Sequence, residues 1–127
     1  MLSISVLQNK LIENFQVDYI GIINKHGRLE DSVYKQDIPL DANKKEMFCM
    51  CVRLQNSMQC DFDDEFGPIN YAVIERERSK FVSIPVTSYT ILVIMNRDMD
   101  HIEVIEEIMK IGNRFRSQKV GKLATSA

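Results

Sequence analysis

Apolar and polar positions repeat with two different periods along this chain, and the changes of period mark out an order α-β-β-α-β-β-β-α. Ile4, Leu7, Leu11 and Phe15 recur at spacings of three and four, which predicts an amphipathic helix over 3–15 with Ser3 as its cap. Residues 17–23 read as a strand, Lys25-His26-Gly27 as a turn in which Gly27 takes positive φ, and residues 28–34 as a mostly polar edge strand. A loop with Pro39 leads to Asp41, an N-cap for a helix over 42–60. On that helix Met47, Met50, Cys51, Leu54 and Met58 fall within one arc of about 100°, with Phe48 and Val52 on its flank. The acidic run Asp61 to Glu65 and then Gly67-Pro68 end the helix. Three β-type runs follow at 69–74, 80–86 and 90–95. Asp100 with Glu103 forms a capping-box pattern for a last helix to about Phe115, carrying Ile102, Ile105, Ile108 and Met109.

Face polarity orders these strands. The first (Ile20 and Ile22 against Tyr19 and Ile23) and the fifth (Ile91, Val93 and Met95 against Leu92 and Ile94) are apolar on both sides. They belong in the centre, with helices on both faces, which leaves the second and third strands as edges. The expected fold is α+β, a three-layer α/β/α domain with a five-stranded antiparallel sheet of order 2-1-5-4-3. Hairpins make every connection within 1-2 and 3-4-5. The third strand then exposes an edge carrying Ile69, Tyr71 and Val73 on one face, with no proline inside it. Such an edge invites a partner strand.

This element order, the Gly27 hairpin and a helix ending just before a three-stranded meander resemble the roadblock family, a profilin-like, longin-related fold, over about residues 3–115. Glu65-Phe66-Gly67-Pro68-Ile69-Asn70-Tyr71-Ala72 and the preceding Met47-Phe48 are similar to an uncharacterised archaeal family of small proteins. The resemblance implies a non-catalytic homodimer that regulates or scaffolds small GTPases and pairs through its second helix and third strand. It places Phe48, Val52, Gln55, Gln59, Ile69, Tyr71 and Val73 at the dimer interface. Read without it, Phe48 and Val52 either face a second copy or complete the monomer core against a loop.

Composition adds limits. A chain of 127 residues, 45% hydrophobic and 27% charged, is one globular domain's worth. The domain is expected over 1–117, with 118–127 a loose basic tail. A net charge of −2 does not suit a general nucleic-acid binder. Three clustered cysteines (Cys49, Cys51, Cys60), with no signal-peptide pattern and no apolar run of membrane-spanning length, point to a reducing cytoplasm.

No chemistry assembles from the remaining residues. Cys49 and Cys51 lie about 200° apart on a helix and cannot share a metal. Asp61, Asp63, Asp64 and Glu65 lack the spacing of an EF-hand loop. His26 sits in a turn and His101 in the first turn of the last helix, neither in a triad order. Arg76, Arg78 and Lys80 alternate with Glu75 and Glu77, as in a solvated turn. No catalytic, metal or cofactor site is expected. The competing reading is a small-molecule sensor of PAS or GAF type, with the methionines lining an apolar cavity.

Overall fold

The computed structural model describes residues 11–13 and 17–110. Strands β1 (Tyr19–Ile23) and β2 (Leu29–Tyr34) form a hairpin, followed by helix α1 (Ala42–Gln59) and a 3-10 turn (Cys60–Phe62). A one-turn helix α2 (Asp63–Phe66) precedes the meander β3 (Ala72–Glu75), β4 (Ser79–Val86) and β5 (Tyr89–Asn96). Helix α3 occupies residues 101–110. The five strands form one sheet in the order β2-β1-β5-β4-β3, with all neighbouring strands antiparallel. This is the order expected from face polarity.

Alternation explains why β1 and β5 are central. Every residue of β1 is buried. Ile20, Val82, Ile84, Ile91, Val93 and Met95 turn to one face, where they meet Leu11, Ile12, Val104, Ile105 and Ile108. Tyr19, Ile23 and Leu92 turn to the other and meet Cys49 and Val52 of α1. Each large side chain buried this way contributes about 1.5–3 kcal/mol. Two apolar faces need two covering layers.

The β1–β2 turn forms as its residues require. Gly27 has φ +80°, and the Asn24 side chain accepts from the amides of His26 and Arg28 at 2.9 and 3.1 Å.

Several expectations need correction. β3 begins at Ala72 rather than Ile69. Gly67 takes φ +82° and Pro68 has no amide to give a ladder, so 67–71 is a connection, and Ile69 and Tyr71 precede the strand. On α3, Ile102 is exposed and Val104 buried beside Ile105 and Ile108, because the Asp100 carboxylate accepts from the Ile102 amide and sets the rotation of the first turn. Lys80 is not in a solvated turn. Its side chain is buried and its ammonium donates to the Met99 carbonyl at 2.8 Å, with His101 Nδ1 at 3.1 Å. The rest of the expected first helix, the end of the last helix and the tail at 118–127 lie outside the described residues.

Candidate interaction surface

Helix α1 starts where Asp41 caps it, its carboxylate accepting from the Lys44 amide at 2.8 Å. Its rotation about its own axis decides what it offers. Met47 is 68% exposed, Leu54 54% and Met58 67%, and Met50 and Cys51 are exposed as well. The buried residues are Cys49, Val52 and Asn56, on the opposite side of the cylinder. The apolar stripe that the sequence marks most clearly therefore points away from the sheet.

Specific contacts hold this orientation. The Asn56 amide donates to the Thr90 hydroxyl at 3.3 Å, and both residues are buried. Arg53 Nε donates to the Lys25 carbonyl at 3.3 Å. The Lys45 ammonium pairs with Asp37 at 2.7 Å and stands 5.6 Å from the centre of the Tyr19 ring. Phe48 meets Phe81 edge to face, ring centres 5.3 Å apart. Gly27 packs so closely under the helix that a Cβ there would lie 3.2 Å from Met50 Cα. Rotating α1 to bury its methionines would strand Asn56 and Thr90, at about 1–3 kcal/mol for each unsatisfied group. Burial also pushes the Cys49 thiol and the Tyr19 phenol above their usual pKa.

Beside the stripe runs a groove of about 410 Å³ between the C-terminal half of α1 and the start of β3, lined by Gln55, Met58, Gln59, Ile69, Tyr71 and Ile74. A smaller hollow adjoins it, where Phe48, Val52 and Gln55 face Ala72, Ile74 and Phe81. Of the residues the sequence proposed for an interface, the groove collects Gln55, Gln59, Ile69 and Tyr71. Phe48 and Val52 border it from the monomer core, and Val52 is only 8% exposed. Val73 is elsewhere: strand alternation turns Ala72 and Ile74 toward α1 and packs Val73 against the α3 layer. β3 pairs with β4 alone, and its other backbone edge is open among the described residues.

A second concavity, of about 650 Å³, lies at the N-terminal end of α1. Ile38, Pro39, Leu40, Phe48, Phe81 and Ile94 give it apolar walls. Lys44, Arg76 and Arg78 stand at it as cations that pair with no carboxylate among the described residues, and Asp18 and Asp37 also line it, Asp37 being held by Lys45. Arg76 lies over the Phe81 ring, 5.6 Å from its centre. At the other end of α1, Phe62 and Phe66 stand out at 53% and 86% exposure among Asp61, Asp63, Asp64 and Glu65. This cleft is not visible in the sequence, because its lining comes from four segments far apart in the chain.

Among the described residues, no three His, Cys, Asp or Glu side chains cluster closely enough to hold a metal ion, and no helix is long and apolar enough to cross a membrane.

Comparison with known proteins establishes the fold. It is similar to MglB of Myxococcus xanthus, with a TM-score of 0.66 and 13% identity over 93% of this chain and 91% of that one. It is also similar to a roadblock/LC7 domain from Streptomyces avermitilis, with a TM-score of 0.63 and 12% identity over 82% of this chain and 86% of that one. Profilin II of Acanthamoeba castellanii matches at a TM-score of 0.58, 11% identical over 94% of this chain and 99% of that one. No family model and no curated protein matches the sequence. The chain thus has a roadblock/profilin-like fold.

Proposed function

We propose that this protein is a non-enzymatic, homodimeric, roadblock-like interaction module whose dimer scaffolds or regulates a small GTPase. The observation that carries the reading is the outward apolar stripe of α1 lying beside the open edge of β3. An exposed patch of this kind, on the order of several hundred Å², marks a protein interface more often than idle surface. An unpaired edge strand next to it supplies the backbone donors and acceptors for a partner strand.

A second copy fits the open edge, and the flank of α1 beside it that carries Cys51, Gln55, Met58 and Gln59, with one symmetry axis. The stripe from Met47 to Met58 has its midpoint between Val52 and Arg53. The midpoint of β3 lies beside the same part of α1, where Ala72 and Ile74 face Val52 and Gln55. The helix and strand also run in opposite directions, since Ile69 and Tyr71 flank the C-terminal half of α1 while Arg76 and Arg78 flank Lys44. A two-fold axis through this point makes β3 antiparallel to its mate and α1 antiparallel to its mate, with Met47 opposite the partner's Met58. The GTPase assignment comes from the roadblock resemblance alone.

Sedimentation equilibrium tests the assembly: a mass twice the 14.7 kDa monomer is expected. A 14.7 kDa species at high micromolar concentration removes the reading. Capture of a small GTPase from the source cell by the wild type, and not by a monomeric stripe variant, tests the partner. The alternative of a small-molecule sensor is favoured by the 650 Å³ cleft, and a ligand retained in native mass spectrometry would support it.

A further inference from the structure

We propose that the cleft at the N-terminus of α1 is a socket for the acidic aromatic segment Asp61–Phe66 of the second copy, so that two reciprocal clasps lock the dimer. This rests on the two-fold pairing above and adds to it a charged, specific contact at each end of the helix pair.

In an antiparallel pair registered on the stripe midpoint, Lys44 in the first turn of α1 lies opposite the point just past the end of the partner's α1, where the acidic segment begins. The β3 edges carry the same register, which brings Arg76 and Arg78 to the end of the sheet where the partner's chain leaves its α1. The socket and the segment therefore meet at one end of the assembly, twice by symmetry.

The socket combines apolar walls with Lys44, Arg76 and Arg78, which have no ion-pair partner among the described residues and outnumber its carboxylates Asp18 and Asp37, the latter already paired with Lys45. The segment combines two outward phenyl rings with carboxylates that likewise make no ion pair there. Phe66 stands 86% exposed. The segment is shaped to project: the Gly67 amide donates to the Asp63 carbonyl at 2.7 Å, closing a single helical turn that holds Phe62 and Phe66 outward. Within one molecule the whole length of α1 separates segment from socket, so only another copy can join them.

Arrangement across a two-fold axis gives the test. Lys44→Glu/Arg76→Glu reverses the socket, and Asp61→Lys/Asp64→Lys reverses the segment. Each variant by itself opposes like charges at both clasps. Its self-association should weaken about tenfold at about 0.1 M salt, and by less in 1 M salt where screening is short-ranged. A mixture of the two opposes unlike charges at both clasps of the heterodimer. Native mass spectrometry should then find heterodimer in excess of the statistical half.

A statistical mixture, or self-association equal to wild type in both variants, overturns the clasp while the dimer stands. Weakening by the socket variant with no preference on mixing, together with a small organic anion retained by the wild type, assigns the cleft to that anion and also overturns it. A monomeric wild type overturns the pairing itself. Thermal melts of each variant, expected within a few degrees of wild type, show that the fold is intact.

Discussion

Leu54→Glu separates the two surfaces of α1 most cleanly. Leu54 keeps 54% of its surface in the monomer, in the middle of the outward stripe, and shares the helix with inward Val52. A glutamate there is a good helix former on a solvated face, so monomer stability should change by no more than about 0.5 kcal/mol. Association is another matter. Full burial of a leucine contributes about 1.5–3 kcal/mol, of which roughly half remains to be gained on pairing. Two copies lose this together, about 2 kcal/mol. Two carboxylates must also be brought near an apolar seam, adding at least about 1 kcal/mol each. The sum of about 4 kcal/mol raises the dimer Kd about a thousandfold. Sedimentation equilibrium gives the Kd, and circular dichroism melts give the stability. A variant that stays dimeric at low micromolar concentration refutes the seam. A melting point lowered by ten degrees or more would mean that Leu54 belongs to the core. Phe48→Asp is a less clean probe, because the half-buried Phe48 packs edge to face on Phe81 and its loss would destabilise the monomer as well.

Three further outcomes follow from other contacts. Gly27→Ala should destabilise the fold by about 1–3 kcal/mol in urea titrations, since φ +80° disfavours a side chain and the new Cβ would press on the Met50 backbone at 3.2 Å. Lys80→Ala should cost about 1–3 kcal/mol and raise hydrogen exchange at the start of α3, because the Met99 carbonyl loses its buried donor. The Lys45 hydrogen bond holds the Asp37 carboxyl below its usual pKa and the Lys45 ammonium above its own. The pair therefore stabilises between about pH 4 and pH 10, an effect lost as Asp37 protonates on the acid side or Lys45 deprotonates on the basic side. Asp37→Asn should remove that acid-side dependence at a cost of about 0.5 kcal/mol near neutrality, read from urea midpoints against pH.

The sheet was legible because its information is local. Tyr19 to Ile23 and Ile91 to Met95 are apolar at successive positions, which only a strand covered on both faces tolerates, and from this the order β2-β1-β5-β4-β3 followed. The rotation of α1 was not legible, because an amphipathic period gives a face and not its direction. Nothing beside Asn56 in the sequence announces that Thr90, 34 positions away, lies beneath it. Lys80 misled for the same reason: its neighbours in sequence are charged, whereas its neighbours in space are the Met99 carbonyl and His101. At the edge, Tyr71 and Ile69 were rightly placed near α1 but wrongly put inside the ladder, and strand parity sent Val73 to the opposite layer.

The direction of the methionine stripe would separate folding from the proposed assembly in time. The stripe supplies none of the residues of the two core clusters, so among the described residues the fold closes without a second copy. In the dimer proposed above, pairing would be a later, second-order encounter between finished bodies, and protomers would exchange mates without crossing an unfolding barrier.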